Sequence, residues 1–178
     1  MLPRPRGLRC SLPIRRNSHS EGVHARCLDW STRMGLIPDA TALKKINKIQ
    51  VDDIAARTYP TASQEYLQLL ADMLTWFFVS DDQYDERKLG ASPQKLGKIF
   101  SNFVRILETG NARLAISPLG RALLDIRDRL AHHTSADWMS QFTDNMALYF
   151  RGCLQESQNR QSMVTPEFDE YCQIRRAS

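Results

Sequence analysis

The sequence predicts an all-α protein, and three observations lead to that prediction. Apolar residues recur at helical spacing, proline and glycine interrupt the chain at helix-length intervals, and no alternating runs of strand length are present. The chain has 178 residues, of which 42% are hydrophobic and 25% are charged. A chain of this size and composition can bury the core of one globular domain or form part of a larger one.

Seven helices are predicted, and proline residues mark several of their boundaries. They cover approximately residues 24–37, 42–59, 61–88, 93–108, 118–134, 136–161 and 166–176. The first helix is expected to stop at Pro38, and the second before Pro60. The apolar stripe of the second helix consists of Leu43, Ile46, Ile49 and Ile54.

Capping patterns predict where the later helices begin. Thr61 and Gln64 have the spacing of a capping box, which opens the long third helix. In three other places a serine or threonine that can cap a helix precedes a proline, which suits the first helical position. These pairs are Ser92-Pro93, Ser117-Pro118 and Thr165-Pro166. The sixth helix is expected to begin near Asp137.

The first 20 residues differ in composition from the rest of the chain. They contain five arginines and no acidic residue, which leaves 19 basic and 20 acidic residues in 21–178, a net charge of −1. The overall charge of +4 is therefore due to residues 1–20, which we interpret as a flexible arginine-rich arm that packs over the body. A removable targeting peptide is the alternative, although three prolines in this segment interrupt any amphipathic helix.

Several functional classes are disfavoured by composition. No basic stripe with interleaved aromatic residues is present, so nucleic acid is not an expected partner. No apolar segment approaches the roughly 20 residues that span a bilayer, so no membrane association is expected. Four cysteines occur without metal-ligand spacing, at Cys10, Cys27, Cys153 and Cys172. We interpret them as buried thiols of a soluble protein in a reducing compartment, the cytoplasm.

The stretch TWFFVSDDQYDERK, residues 75–88, passes directly from an apolar run into four acidic residues. These residues are Asp81, Asp82, Asp85 and Glu86. On a helix, pairs of them stand three or four positions apart and share one face, where their charges repel one another unless a cation lies between them. Mg²⁺ prefers oxygen ligands of this kind and completes its coordination with water and substrate phosphate. The four acidic residues are therefore the predicted magnesium ligands.

Two aromatic residues lie one helical turn before the acidic residues. Phe78 is three residues before Asp81, and Phe77 is four residues before it. This arrangement predicts the wall of a pocket that binds an apolar molecule with a diphosphate head. The alternative is a solvated acidic helix end, assisted by Arg87 and Lys88. It is disfavoured because a surface helix needs a polar face along its whole length, and the apolar run leaves none.

Other metal sites fit the sequence less well. The stretch DDQYDERKLGAS lacks the alternating Asp or Asn and the central Gly of an EF-hand calcium loop. His132 and His133 stand at a helix end without HExxH spacing, and we interpret them as cationic or capping side chains.

The stretch FFVSDDQYDE resembles the DDxxD motif of class I terpene synthases, notably the microbial sesquiterpene cyclases. Three further blocks are similar to this family. Its N-terminal arm and first helix are similar to LPIRRNSHSEGVHARCLDWSTRMGL, and the approach to its metal helix is similar to YPTASQEYLQLLADMLTWFF. The approach to its diphosphate-sensing arginine is similar to ESQNRQSMVTPEFDEYCQIRR. Chain-elongating prenyl transferases share the aspartate motif, but they usually follow it with a paired arginine that ERKLGASP lacks. The resemblance implies a helical bundle around a central cavity, with 21–178 as its N-terminal part.

The resemblance also implies roles for individual residues. Asp81 would be the main Mg²⁺ ligand. The residues that ligate or hydrogen-bond in support would be Asp82, Asp85 and Glu86. Arg175, the first arginine of YCQIRR, would be the catalytic diphosphate sensor, because its planar guanidinium donates to phosphate oxygens. Phe77 and Phe78 would line the pocket and stabilise carbocations with their ring faces. The implied reaction uses three Mg²⁺ ions and cyclises an isoprenyl diphosphate, with farnesyl diphosphate as the expected substrate.

One expected motif is not found in the sequence. The family's second metal motif, of the form NDxxSxxxE, should follow Arg175, and DNMALYFRG at 144–152 has the wrong order and lacks the serine and glutamate. We therefore expect a bundle that is incomplete at its C-terminus, and little or no cyclase activity from this chain alone. Prenyl chain elongation and a non-catalytic helical protein remain open as alternatives. The sequence does not determine the oligomeric state and is compatible with a homodimer.

Overall fold

The structure is a computed structural model that describes residues 13–85 and 92–177. The described residues form eight α-helices and one 3-10 turn and contain no strand, which confirms the all-α prediction. The helices are α1 Val23–Met34, α2 Ala40–Ile49, α3 Val51–Thr58, α4 Gln64–Asp85, α5 Pro93–Thr109, α6 Pro118–His133, α7 Ala136–Ser162 and α8 Phe168–Ala177. The 3-10 turn, Ala112–Leu114, lies between α5 and α6.

Serine side chains cap α5, α6 and α7, and the caps of α5 and α6 are at predicted positions. The side chain of Ser92 accepts from the backbone N–H of Lys95, and that of Ser117 accepts from Gly120, with proline at the next position in both cases. Ser135 caps α7 through the N–H of Trp138, close to the predicted start. Each cap satisfies an N–H group that has no partner within its own helix.

The second predicted helix is wrong, because it is two helices separated at Gln50. Gln50 has φ 54° and ψ 49°, a left-handed conformation that stops the helical hydrogen-bond pattern and redirects the chain. The predicted apolar stripe is correspondingly broken: Ile46 is buried, whereas Leu43 and Ile54 are exposed. The redirection buries Val51 in a small cluster between α1, α3 and α4.

Other predicted boundaries differ by a few residues. The first helix ends at Met34 because Gly35 adopts φ 77°, so it stops before Pro38. Helix α4 begins beside Ser63, whose hydroxyl accepts from the N–H of Tyr66 at 3.4 Å, and not at the predicted Thr61. Helix α8 begins at Phe168, two residues after the predicted proline position. The predicted continuation of α4 from residue 86 to 88 lies outside the described residues.

The core is built around Trp76 of α4, which is fully buried. Its indole Nε1 donates a 2.9 Å hydrogen bond to the backbone carbonyl of Leu119 on α6. Its ring meets Phe103 of α5 edge-on at 5.7 Å and Phe150 of α7 at 6.3 Å. Because one side chain contacts three other helices, the direction and register of α4 are closely fixed.

The N-terminal arm is anchored where the structure describes it. Asn17 is buried, and its side-chain amide donates 2.8 Å hydrogen bonds to the carbonyls of Tyr59 and Ala62. Its backbone N–H also donates to Ala56 at 3.0 Å. Asn17 therefore ties this segment to the end of α3, whereas residues 13–16 are exposed and residues 1–12 lie outside the described part.

Three of the cysteines lie in the described part, and all three are reduced thiols. Cys27 is buried as predicted, but Cys153 and Cys172 are only partly buried. Cys10 lies outside the described residues. None of the described helices is both long enough and apolar enough to span a membrane.

Candidate active site

The last turns of α4 carry both the aromatic and the acidic residues of the predicted site. Phe78 is 37% exposed, Val79 is 9% exposed, and Asp81 and Asp82 are exposed. Tyr84 turns back into the core, where its ring meets Phe100 edge-on at 5.2 Å. The helix therefore leaves the core at this point and presents Asp81 and Asp82 at a rim.

A groove of about 820 Å³ lies beside this rim, between α4 and α2. Its wall on the α2 side comes from Leu36, Pro38, Asp39, Thr41, Ala42, Lys45, Ile46, Lys48 and Ile49. Its wall on α4 comes from Phe78, Val79, Asp81, Asp82 and Gln83. The groove thus combines an apolar floor with a charged edge, and its volume lies in the range of small-molecule sites.

Asp82 has a partner in the protein. The ammonium of Lys45 on α2 donates to Oδ1 of Asp82, and both side chains are about half exposed. The sequence pattern gave no indication of this contact, since the two residues are 37 positions apart. One of the predicted metal ligands therefore already has a cation beside it.

A second, much smaller cavity of about 20 Å³ lies on the other side of Asp81. It is bounded by Ser80, Asp81, Tyr84, Leu96, Phe100, Tyr149, Phe150, Cys153, Glu156 and Arg160. Burial raises the pKa of the Tyr84 phenol above its usual range, so this group is neutral at physiological pH. Asp81 borders both the groove and this cavity and is the residue that joins the two.

Arg175 lies on α8 beside α7 and does not line the groove. Its Nη1 donates a 3.0 Å hydrogen bond to Oε1 of Glu156, and this bond raises the pKa of the already basic guanidinium. Glu156 borders the small cavity together with Asp81. The predicted sensor thus pairs with a glutamate that borders the same small cavity as Asp81, and the sequence analysis did not identify this glutamate.

The two predicted aromatic residues lie on different sides of α4. Phe78 lines the groove. Phe77 packs edge-on against Tyr149 of α7 at 5.3 Å and against Trp76 at 5.4 Å. Only Phe78 therefore faces the groove, and a pocket-lining role for Phe77 stays a prediction.

The described donors fit a magnesium ion that relies on substrate and water for part of its coordination. The side chain of Asp85 and the whole of Glu86 lie outside the described residues, and within the described part no three His, Cys, Asp or Glu side chains are grouped for a metal ion. Asp81 and Asp82 supply two adjacent hard oxygen donors at the groove. Mg²⁺ in phosphate-transfer sites is typically bound by one or two carboxylates, so this donor set matches its chemistry.

Two residues of the site, Lys45 and Glu156, could not be identified from local sequence. Each acts through a contact with a distant residue, Asp82 and Arg175 respectively. The only signal in the sequence was indirect: Glu156 opens the block ESQNRQSMVTPEFDEYCQIRR that precedes the arginine.

Comparison with known proteins relates the chain to terpene synthases. Residues 72–178 match the model of terpene synthase family 2, C-terminal metal binding. The chain is 31% identical over 172 residues to germacrene A synthase from Nostoc punctiforme, covering 97% of this chain and 53% of that protein. It is 34% identical over 157 residues to a (+)-T-muurolol synthase from Roseiflexus castenholzii, covering 88% and 48% of the two chains.

A solved structure shows the same fold. Germacradien-4-ol synthase from Streptomyces citricolor superimposes with a TM-score of 0.81 at 26% identity, over 96% of this chain and 55% of that one. The chain spans about half the length of the relatives that it matches. The family model covers more than half of the chain, including Asp81, Asp82 and Arg175. The chain therefore belongs to terpene synthase family 2.

Proposed function

We propose that this protein serves in the Mg²⁺-dependent ionisation and cyclisation of farnesyl diphosphate to a cyclic terpene, with release of diphosphate. The observation that carries the proposal is that Phe78, Asp81 and Asp82 border one groove. An apolar floor suits a hydrocarbon chain, and a carboxylate rim suits a metal–diphosphate head. The (+)-T-muurolol synthase relative is named as cyclising (2E,6E)-farnesyl diphosphate, which supports this substrate.

The acidic residues hold the metal in this proposal. Asp81 is the main ligand and Asp82 supports it, with Asp85 and Glu86 as the further candidates on the same helix. Three Mg²⁺ ions serve a complete active site. Bound magnesium neutralises the diphosphate and makes it a leaving group. The position of Asp81 between the groove and the small cavity supports its principal role.

The remaining predicted residues contact the hydrocarbon chain and the diphosphate of the substrate. The exposed ring of Phe78 faces the groove, where its π face stabilises an allylic or cyclic carbocation. Phe77 is a further candidate for the cavity wall. Arg175 binds the diphosphate by exchanging its hydrogen bond with Glu156 for phosphate oxygens. The complete site must close to exclude water during turnover, because water would capture the cation as an alcohol.

We expect weak or no cyclase activity from the 178 residues alone, since they span about half of each relative. The function is therefore tested in a chimaera. The chain is fused to the portion of the Nostoc germacrene A synthase that it does not match, incubated with Mg²⁺ and farnesyl diphosphate, and its organic extract is analysed by gas chromatography and mass spectrometry.

The chimaera is expected to yield a cyclic sesquiterpene. Loss of a residue that supports a metal ligand typically lowers activity roughly 10- to 100-fold. Asp81→Asn removes a ligand itself, so it should lower the rate of sesquiterpene formation by more than that. Asp29→Asn is the matched control, because Asp29 is an exposed acid paired with Arg33 on α1. In a parallel reaction that also contains isopentenyl diphosphate as the five-carbon donor, a prenyl diphosphate longer than the substrate would instead indicate chain elongation. The absence of any product in both reactions would favour a non-catalytic protein.

A further inference from the structure

The contact between Lys45 and Asp82 joins two helices across the groove. Lys45 lies on α2, Asp82 lies near the end of α4, and the ammonium donates to Oδ1 of the carboxylate. Each side chain is about half exposed, at 45% and 44%. The pair is therefore accessible to ions from solvent, and it can open without disturbing the core.

The position of Lys45 is set by the fold of α2. Asp39 caps the start of this helix by accepting from the N–H of Ala42 at 2.9 Å, and the left-handed Gln50 ends it. Ile46, the neighbour of Lys45, is 4% exposed and anchors the helix to the core. With α2 held at both ends and by one buried side chain, the ammonium of Lys45 is kept within reach of the acidic turn.

A lysine ammonium and a divalent cation compete for the same carboxylate oxygens. While Lys45 pairs with Asp82, it offsets the repulsion between the adjacent charges of Asp81 and Asp82. A metal that uses Asp82 must displace this ammonium or accept a positive charge beside it. Both effects lower the affinity of the acidic turn for the metal.

We propose that Lys45 is a positioning residue of the metal site, an internal cation that holds Asp82 in the metal-free protein and sets the metal affinity by competing for it. This inference rests on the proposed function, since it assigns the metal to Asp81 and Asp82. It adds a residue from α2, outside the acidic motif, to the control of that site.

Mn²⁺ binding to the whole chain tests the inference without any measurement of turnover. Free Mn²⁺ is followed by electron paramagnetic resonance during titration of wild type, Lys45→Met, Lys45→Arg and Lys48→Met. Lys48 lines the same groove, one turn further along α2, so its substitution removes the same charge from the groove. The melting temperature of each variant confirms that it is folded.

Lys45→Met is expected to lower the Mn²⁺ dissociation constant about two- to fivefold, the range that the strength of an exposed ion pair implies. Lys45→Arg retains the positive charge and the pairing with Asp82, so its Mn²⁺ dissociation constant should stay close to that of wild type. Lys48→Met should change the dissociation constant by less than about twofold, because its charge is screened by solvent. In an Asp82→Asn background, Lys45→Met should have little further effect.

Three results would overturn the proposal. Equal tightening in Lys45→Met and Lys48→Met would show that only the overall charge of the groove matters. Unchanged or weaker binding in Lys45→Met would show that Lys45 does not compete for Asp82. These two results reject the role of Lys45 alone, whereas the third, no saturable binding in any variant, rejects both this role and the proposed metal site.

Discussion

Arg129 of α6 donates a 2.8 Å hydrogen bond from Nη1 to Oδ2 of Asp72, a carboxylate of α4 that is 1% exposed. Oδ1 of the same carboxylate accepts from the side chain of Gln68 at 2.9 Å. The guanidinium also lies 5.7 Å from the ring centroid of Trp30 on α1. Together these contacts join α1, α4 and α6 at Asp72, which is nine residues before Asp81. They help to determine where the acidic turn leaves the core.

Arg129→Met is expected to destabilise the protein by about 3 kcal/mol, because it leaves the charge of Asp72 buried without its principal partner. The free energy of unfolding from urea denaturation measures the effect. Arg105→Met is the control: Arg105 is exposed on α5, and its loss should change stability by no more than about 0.5 kcal/mol. Similar values for the two variants would contradict a structural role for the buried pair.

Asp72 also predicts a pH dependence of stability. Burial raises its pKa above the ordinary aspartate value, while Arg129 and the hydrogen bonds oppose that shift. A raised pKa means that the native state binds more protons than the unfolded state, so the contribution of Asp72 falls as pH rises from about 4 through the native pKa.

The free energy of unfolding is measured across this pH range in wild type and in Asp72→Asn. The difference between the two isolates the contribution of Asp72 to stability. The stability of wild type relative to the variant should decline with rising pH, by at most about 1.4 kcal/mol per pH unit for one proton. An increase with pH would mean that pairing with Arg129 outweighs burial and that the native pKa is lowered.

The three described thiols should differ in reactivity. Cys27 is 2% exposed, and burial, together with the nearby charge of Asp72, raises its pKa. Cys153 and Cys172 are partly exposed. Because the thiolate is the reactive form, Cys27 should be alkylated at pH 8 more slowly than Cys172 by about an order of magnitude or more. Mass spectrometry of labelled peptides measures the rates, and labelling in urea should remove the difference.

The cap of α6 makes a separable contribution to stability. The hydroxyl of Ser117 accepts from the N–H of Gly120 at 3.0 Å, so Ser117→Ala should cost about 1 kcal/mol. Ser101→Ala, at an exposed position within α5, should be neutral or slightly stabilising because alanine is the better helix former. Thermal unfolding of both variants tests this, and equal melting temperatures would argue against the cap.

Sequence patterns predicted the helical class and many boundaries because caps and breakers act locally. Ser92 and Ser117 cap helices where the serine–proline pairs predicted. The break at Gln50 was missed, since left-handed conformation is favoured by glycine and asparagine and only rarely adopted by glutamine. It follows from the burial of Val51 against α1 and α4, which is a tertiary effect.

The candidate site was predictable only in part for the same reason. Helical spacing placed Phe78, Asp81 and Asp82 together, and they do border one groove. The cation beside Asp82 and the anion beside Arg175 come from residues 37 and 19 positions away. No periodicity within a single helix could reveal such contacts, because they depend on how α2 and α7 pack.

The most direct test of this account is whether Asp81 binds a divalent cation. Mn²⁺ titration of the chain, followed by electron paramagnetic resonance, should show saturable binding in wild type and in the control Asp29→Asn. Asp81→Asn should weaken that binding by at least about tenfold, since it removes an anionic oxygen ligand. An unchanged dissociation constant in Asp81→Asn would contradict the assignment of the metal to the rim of the groove.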